Sequence, residues 1–184
     1  SGRRFLSGHP WVFSNELERP GEKIEAGDVV SLCRVGGQFL AYGFYNPGSL
    51  IAFRELSCNE DDDVEPLLAD RLEAAIALRR SIYPASDCLR LVHSESDGLP
   101  GLIVDQYGDA LSIQVNAAGM DRLLNTVTGL LSDMLEPAII VMRNDSNLRK
   151  LEGLQQYTRV VKGDEANAFA DVSEHGLRYR VDIM

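Results

Sequence analysis

The feature that most constrains this chain is a change of pattern near residue 60. From Val29 to Leu56 short runs rich in β-branched and aromatic residues are interrupted by Gly36-Gly37 and Asn46-Pro47-Gly48. Runs of that composition between turn signals read as strands. Val29 to Val35 therefore predicts a strand, Gly36-Gly37 a tight turn, and Gln38 to Tyr45 the return strand. Leu50 to Leu56 predicts a third strand after the turn at Asn46-Pro47-Gly48. A compact barrel of about 60 residues follows from that spacing. The polar stretch Ser57 to Asp63, with Glu60-Asp61-Asp62-Asp63 at its centre, ends it. Beyond, Val64, Leu68, Leu72, Ala75 and Ile76 fall at helical spacing, so a helix starts at an N-cap on Asp63 and closes at Tyr83-Pro84.

The remainder alternates. A strand is expected near Leu89 to Val92, then Leu102 to Val104 paired with Ala110 to Val115 across Gln106-Tyr107-Gly108-Asp109. One helix follows, with Met120, Leu123, Leu124, Val127, Leu130, Leu131 and Met134 on a single stripe, and Pro137 ends it. Ala138 to Met142 is continuously apolar, the mark of a strand buried on both faces. Asn147 to Leu151 reads as a short helical turn and Val160-Val161 as a short strand. Finally Leu177, Tyr179, Val181 and Ile183 alternate with Arg178, Arg180 and Asp182. That strand is expected to pair with Gly163 to Asp171, or with the segment after it, through a turn at Glu174-His175-Gly176. A chain that starts at Ser1 and stops in such a strand is expected to be part of a longer protein.

Composition narrows the function. With 184 residues, 45% hydrophobic and 25% charged, the chain is an ordinary globular protein. Its 28 acidic against 18 basic residues give a net charge of -10, which argues against a polyanion binder blind to sequence. The distribution is uneven: residues 1 to 56 hold six basic and six acidic groups, net 0, whereas 57 to 88 and 89 to 184 each carry a net of -5. The first part is therefore the least repulsive to a phosphate backbone. No apolar run approaches the roughly 20 residues that cross a bilayer, and a soluble, cytoplasmic protein is expected. Cys33, Cys58 and Cys88 form no CxxC pair and read as small core thiols in a reducing compartment; His9, His93 and His175 show no metal spacing. No metal is expected, and neither GxGxxG nor GxxxxGK[ST] occurs.

Three motifs stand out. Gly8-His9-Pro10-Trp11-Val12-Phe13-Ser14-Asn15 holds the only tryptophan, which either anchors the small core or, with His9, stacks on an unpaired base. Ser94-Glu95-Ser96-Asp97-Gly98-Leu99-Pro100-Gly101 is foremost turn chemistry, with Asp97 as a possible substrate-facing carboxylate. Arg143 to Gly153 follows the buried strand, where Arg143, Arg149 and Lys150 are candidates for phosphate contacts and Asp145 for a substrate-facing role.

Taken in order, Gly8 to Phe13, Gly27-Asp28 with Leu40-Ala41-Tyr42-Gly43, Glu95 to Leu102 with Val104 to Gly108, Arg143 to Gly153, and Glu174-His175-Gly176 with Val181-Asp182 resemble a known family. It is that of the bacterial S-adenosylmethionine-dependent methyltransferases that make 5-methylcytosine in large-subunit ribosomal RNA. The resemblance implies an α+β protein: a small β-barrel-like PUA domain that binds RNA (residues 1–60), a linking helix (61–84) and a central α+β domain of strand-strand-helix-strand-strand type (85–184). It also implies a Rossmann-like methyltransferase domain that is absent from this chain and carries the catalytic cysteine and the S-adenosylmethionine loop. No catalytic or cofactor-binding residue is then expected here, and Cys33, Cys58 and Cys88 take no such role. Ribosomal RNA is the implied partner, with Arg3, Arg4, His9, Trp11, Arg143, Arg149 and Lys150 as its contacts. The alternative is a complete, non-catalytic RNA-binding or scaffold protein built from the same modules.

Overall fold

The computed structural model describes residues 3–18, 20, 23–174 and 176–184, the side chain of Arg3 excepted. A single helical turn, α1 (Arg3–Leu6), leads into a short strand, β1 (Trp11–Phe13). The three strand-like runs then form β2 (Asp28–Cys33), β3 (Phe39–Tyr45) and β4 (Ile51–Ser57). These four make an antiparallel sheet in the order β1-β4-β3-β2. The expected barrel does not close, because β1 and β2 are the two edges and the three-residue β1 pairs with β4 alone. Val12, Ala41 and Phe53 form its small core, against which Phe5, Leu17, Val30 and Leu32 pack.

The helix of residues 64–82 does more than link. In α2 (Val64–Ile82) the side chains of Leu68, Leu72, Ala75 and Ile76 are buried in the largest core of the molecule, with Leu91, Leu99, Leu102 and Leu131. Burying each large aliphatic side chain contributes roughly 1.5–3 kcal/mol, so α2 is a layer of that core. Asp63 has the extended backbone of an N-cap, although its side chain makes no capping hydrogen bond.

The second sheet holds β5 (Cys88–His93), β6 (Leu102–Tyr107), β7 (Ala110–Val115), β8 (Ile139–Asn144) and β9 (Tyr157–Lys162), in that spatial order. Three strands precede the crossover and two follow it, as the residue pattern predicts, against the strand-strand-helix-strand-strand type that the resemblance implies. The sheet is mixed: β7 and β8 are parallel, while the other neighbours are antiparallel. A parallel pair needs a crossover, supplied by α3 (Ala118–Arg122) and α4 (Leu124–Leu135). The expected single helix breaks at Leu123 (φ -92°, ψ 8°), because its two halves have different partners. Gly119 of α3 lies on the Phe44 ring, and Arg122 donates to Asp28 at 2.6 Å, whereas Leu124, Val127 and Leu131 of α4 enter the core beside α2.

A short helix, α5 (Leu148–Leu151), follows β8. The chain ends in a hairpin of β10 (Phe169–Glu174) and β11 (Leu177–Asp182), paired from Phe169↔Asp182 to Glu174↔Leu177. Pairing thus falls at the later end of the region expected; His175, in the turn, lies outside the described residues. Ala168, Ala170, Val172 and Ile183 cover Ala110, Ile139 and Val141 on the far face of the sheet. With helices on one face and this hairpin on the other, β8 is buried on both sides, which explains its continuous apolar run. Leu177 and Tyr179 stay exposed. Cys33 and Cys58 are also exposed and Cys88 half-buried, so the thiols are not the core residues expected. No helix among the described residues is long and apolar enough to cross a membrane.

Candidate functional site

The run from Ser94 to Gly101 leaves the end of β5 and fastens three parts of the molecule together. Asp97 accepts from Arg79 in the last turn of α2, through both carboxylate oxygens at 2.5 and 2.8 Å, and from the His93 N–H at 2.6 Å. Arg71 of the same helix donates to the Gly98 carbonyl at 2.5 Å. Gly101, at φ +76°, turns so close beneath Ala117 that a Cβ would lie 2.5 Å from the alanine's own; only glycine fits there. Glu95 reaches the other way. It accepts from Trp11 Nε1 at 2.8 Å, from Arg54 Nη1 at 2.8 Å and from the Ser94 hydroxyl.

Arg54 is the centre of this joint. Trp11 and Arg54 stand directly opposite each other across β1 and β4, so their side chains share a face, with the guanidinium 5.3 Å from the indole. Its second arm donates to Glu152 Oε1 at 3.0 Å. Glu152, whose side chain is only 3% exposed, also accepts from Ser49 Oγ (2.8 Å), Asn46 Nδ2 (2.9 Å) and the Ala118 N–H (3.3 Å). One arginine of the first sheet is thus clamped between two carboxylates of the second body. Burial alone would push both carboxyls up. Hydrogen bonds from Ser94 and Trp11, with the Arg54 charge, nevertheless hold Glu95 below the ordinary range. Asn46, Arg54 and Ser49 do the same for Glu152. Both are therefore ionised at neutral pH.

The residues singled out from sequence fare differently. Trp11 is half-buried and committed to Glu95, with the His9 ring 5.4 Å away and edge-on; it plugs the joint rather than anchoring the small core. Asp97 is shut in by Arg79, its side chain 7% exposed, and faces no open site. Arg149 is buried, its guanidinium spent on the carbonyls of Val115 and Gln155 and on Asp121, which removes it as a phosphate contact. Arg143, half-buried near the end of β8, pairs at 3.2 Å with Asp145 just after the strand. Lys150 is exposed, and exposed Arg4 lies 5.7 Å from the Phe13 ring. The side chain of Arg3 lies outside the described residues. The sequence reading missed Arg54, Glu152, Asn46 and Ser49, which are local strand, helix-end and turn residues until the fold brings them together. An arginine inside the strand-like run Leu50 to Leu56 was the available signal. Among the described residues no group of three or more His, Cys, Asp or Glu is placed to hold a metal ion.

Residues 1–58 match the model of a PUA-like domain. The whole chain is similar to ribosomal RNA large subunit methyltransferase I of Erwinia tasmaniensis, at 33% identity over 98% of this chain and 46% of that protein. The protein of the same name from Photobacterium profundum is 35% identical over 96% of this chain and 45% of its own length. The chain therefore spans about half the length of these relatives. Among solved structures it superposes on a putative methyltransferase complexed with SAH, with a TM-score of 0.79 and 14% identity, over 98% of this chain and 45% of that one. A putative SAM-dependent methyltransferase from Streptococcus mutans gives 0.78. At such identities the likeness concerns the fold. It corrects the expectation that a methyltransferase fold is absent from this chain: 98% of the chain lies on methyltransferases, and its sheet is mixed, with a parallel β7–crossover–β8 unit.

The fold family brings S-adenosylmethionine into question, and the local residues can be tested against it. Open α/β sheets bind nucleotides beyond the carboxyl ends of parallel strands, where a following helix offers its first N–H groups. Here that place is filled. Asn144 Oδ1 accepts from the Val115 N–H at 2.8 Å, Arg149 donates to the Val115 carbonyl at 2.5 Å, and Glu152 occupies the Ala118 N–H at the start of α3. A Cβ on Gly119 would lie 2.0 Å from the Phe44 ring. These residues do not fit the cofactor, and no step is assigned through it.

Proposed function

We propose that this chain is the RNA-docking and central region of an S-adenosylmethionine-dependent methyltransferase that forms 5-methylcytosine in large-subunit ribosomal RNA in the cytoplasm. The observation that carries this reading is the likeness to ribosomal RNA large subunit methyltransferase I along nearly the whole chain, joined to the PUA-like match at its start. In this reading residues 1–60 form the RNA-binding part and residues 61–184 the body that holds it in fixed orientation through Arg54. Trp11 and Arg54 meet Glu95 there, and the second arm of Arg54 meets Glu152. RNA then contacts Arg3, Arg4 and the His9/Trp11 edge on one side, and Arg143 and Lys150 on the other. Arg149 positions this second patch from beneath.

The chain's own residues dock RNA and supply no nucleophile. Burial, with Glu55 beside Cys58 and Asp87 beside Cys88, pushes both thiols up, away from the thiolate that attack requires. The cofactor is used by the intact protein. The filled crevice beyond β7 and β8 favours a second reading, a non-catalytic RNA-binding or scaffold protein. Methyl transfer to ribosomal RNA by the product of the complete gene separates the two.

Fluorescence anisotropy with a large-subunit ribosomal RNA fragment tests the docking surface. Arg4→Ala and Lys150→Ala should each weaken binding and lower the salt slope by roughly one, while Arg149→Ala should lower the melting temperature instead. An unchanged slope in the Arg4→Ala/Lys150→Ala double variant would remove the proposed contacts.

A further inference from the structure

A groove of about 320 Å³ lies between α4 and β9, the edge strand of the five-stranded sheet. One wall carries Asn125, Thr128, Gly129 and Ser132, which share a face of α4 by their spacing of three, four and seven residues. The other wall carries Arg159 and Lys162 of β9. In a chain with 28 acidic residues, no carboxylate lines this groove, and neither cation has an ion pair among the described residues.

Arg159 is also held in place. Its guanidinium lies 4.9 Å from the Tyr157 ring centre, which has the buried Arg149 within 5.3 Å as well. The Tyr157 hydroxyl accepts from Asn144 Nδ2 at 2.8 Å. A ring fixed by the core thus orders the cation that opens onto the groove, so less side-chain freedom remains to be lost on binding. Gly129 has nothing within 4 Å of a Cβ position, which leaves the α4 wall open to a ligand. Two unpaired cations facing the Asn125 amide and the Ser132 hydroxyl make a seat for a tetrahedral oxyanion.

We infer that this groove seats a phosphate of the RNA backbone, as a contact separate from the Arg4/His9/Trp11 edge and the Arg143/Lys150 patch. The inference rests on the RNA reading above. The ligand class is a phosphodiester: Arg159 and Lys162 neutralise it, and Asn125 and Ser132 donate to its oxygens, while the Thr128 hydroxyl is turned back to the Leu124 and Asn125 carbonyls.

The test uses the whole chain, a fluorescein-labelled single-stranded RNA, and anisotropy across salt concentrations. Glutamine keeps the edge strand polar, so Arg159→Gln/Lys162→Gln should retain the wild-type melting temperature. Losing two phosphate contacts should lower the single-strand salt slope by about 1.4. Wild type would then lose about 7-fold more affinity than the variant between about 50 and 200 mM salt. Gly129→Asp brings a carboxylate in from the opposite wall and should weaken binding at low salt. An unchanged slope in the double variant, with the Arg4→Ala/Lys150→Ala slope reduced, overturns the groove and leaves the RNA reading standing. Absence of wild-type binding at low salt overturns both. Unchanged RNA binding accompanied by new self-association would make the two cations guards of the sheet edge, and would also overturn the proposal. So would saturable binding of inorganic phosphate at these residues without any effect on RNA.

Discussion

Replacing Arg54 with alanine leaves Glu95 and Glu152, whose side chains are 17% and 3% exposed, without their shared counter-charge. Breaking a buried pair from one side costs about 3–5 kcal/mol. Glu152 keeps donors from Asn46, Ser49 and Ala118, and Glu95 keeps Trp11 and Ser94, so the lower end, about 3 kcal/mol at pH 7, is expected. With a urea slope near 2 kcal/mol/M the unfolding midpoint should fall by about 1.5 M. Acid supplies the second reading. In the wild type both carboxyls sit below the ordinary Glu value of 4.5, so their stabilisation is present above that value and is lost as pH falls through the folded ones. In the variant burial prevails and pushes them up, so the folded form takes up protons before the unfolded chain does. The gap between variant and wild type should therefore narrow as pH falls from 7 toward 4.5. Urea titrations at pH 7 and pH 5 decide it: a loss under about 1 kcal/mol at pH 7, or an equal loss at both values, would refute the clamp.

Asp97→Asn removes the charge that holds Arg79 to the end of β5; a loss of about 3 kcal/mol, seen by chemical unfolding, should leave RNA affinity unchanged. Gly119→Ala drives a methyl group into the Phe44 ring, itself 3% exposed, and overpacking of that kind costs about 1–3 kcal/mol. Calorimetry should show the melting temperature fall by roughly 4–8 °C for a cost near 2 kcal/mol. Glu136 ends α4 in the left-handed region at φ +46°, where a Cβ is unfavourable. Glu136→Gly should raise the melting temperature by about 2–3 °C, and a decrease would show that this carboxylate has a role not visible in its surroundings.

The sequence by itself determined the elements. The β-branched and aromatic runs between Val29 and Leu56 are enough to place β2, β3 and β4, since strand-forming residues and glycine turns are local properties. Likewise the stripe of Leu68, Leu72 and Ile76 places α2, and the apolar run at Ile139 to Met142 places a strand covered on both faces. Tertiary structure decided what those elements are for. A helix that looked like a linker became a core layer because the β5–β6 sheet needs cover on that face. A sheet that looked like a small barrel stayed open. The Glu-Ser-Asp-Gly-Leu-Pro-Gly run was legible as a turn, yet the reach of Glu95 to Trp11 spans 84 positions of sequence and that of Asp97 to Arg79 spans 18. Charge pairing carries no period, so nothing near Arg54 in the sequence announces Glu95 or Glu152. Arg149 shows the same limit from the other side: beside Lys150 in a polar segment it reads as a surface cation, and only the fold turns it inward to the Val115 and Gln155 carbonyls, where a buried charge must find every partner it can.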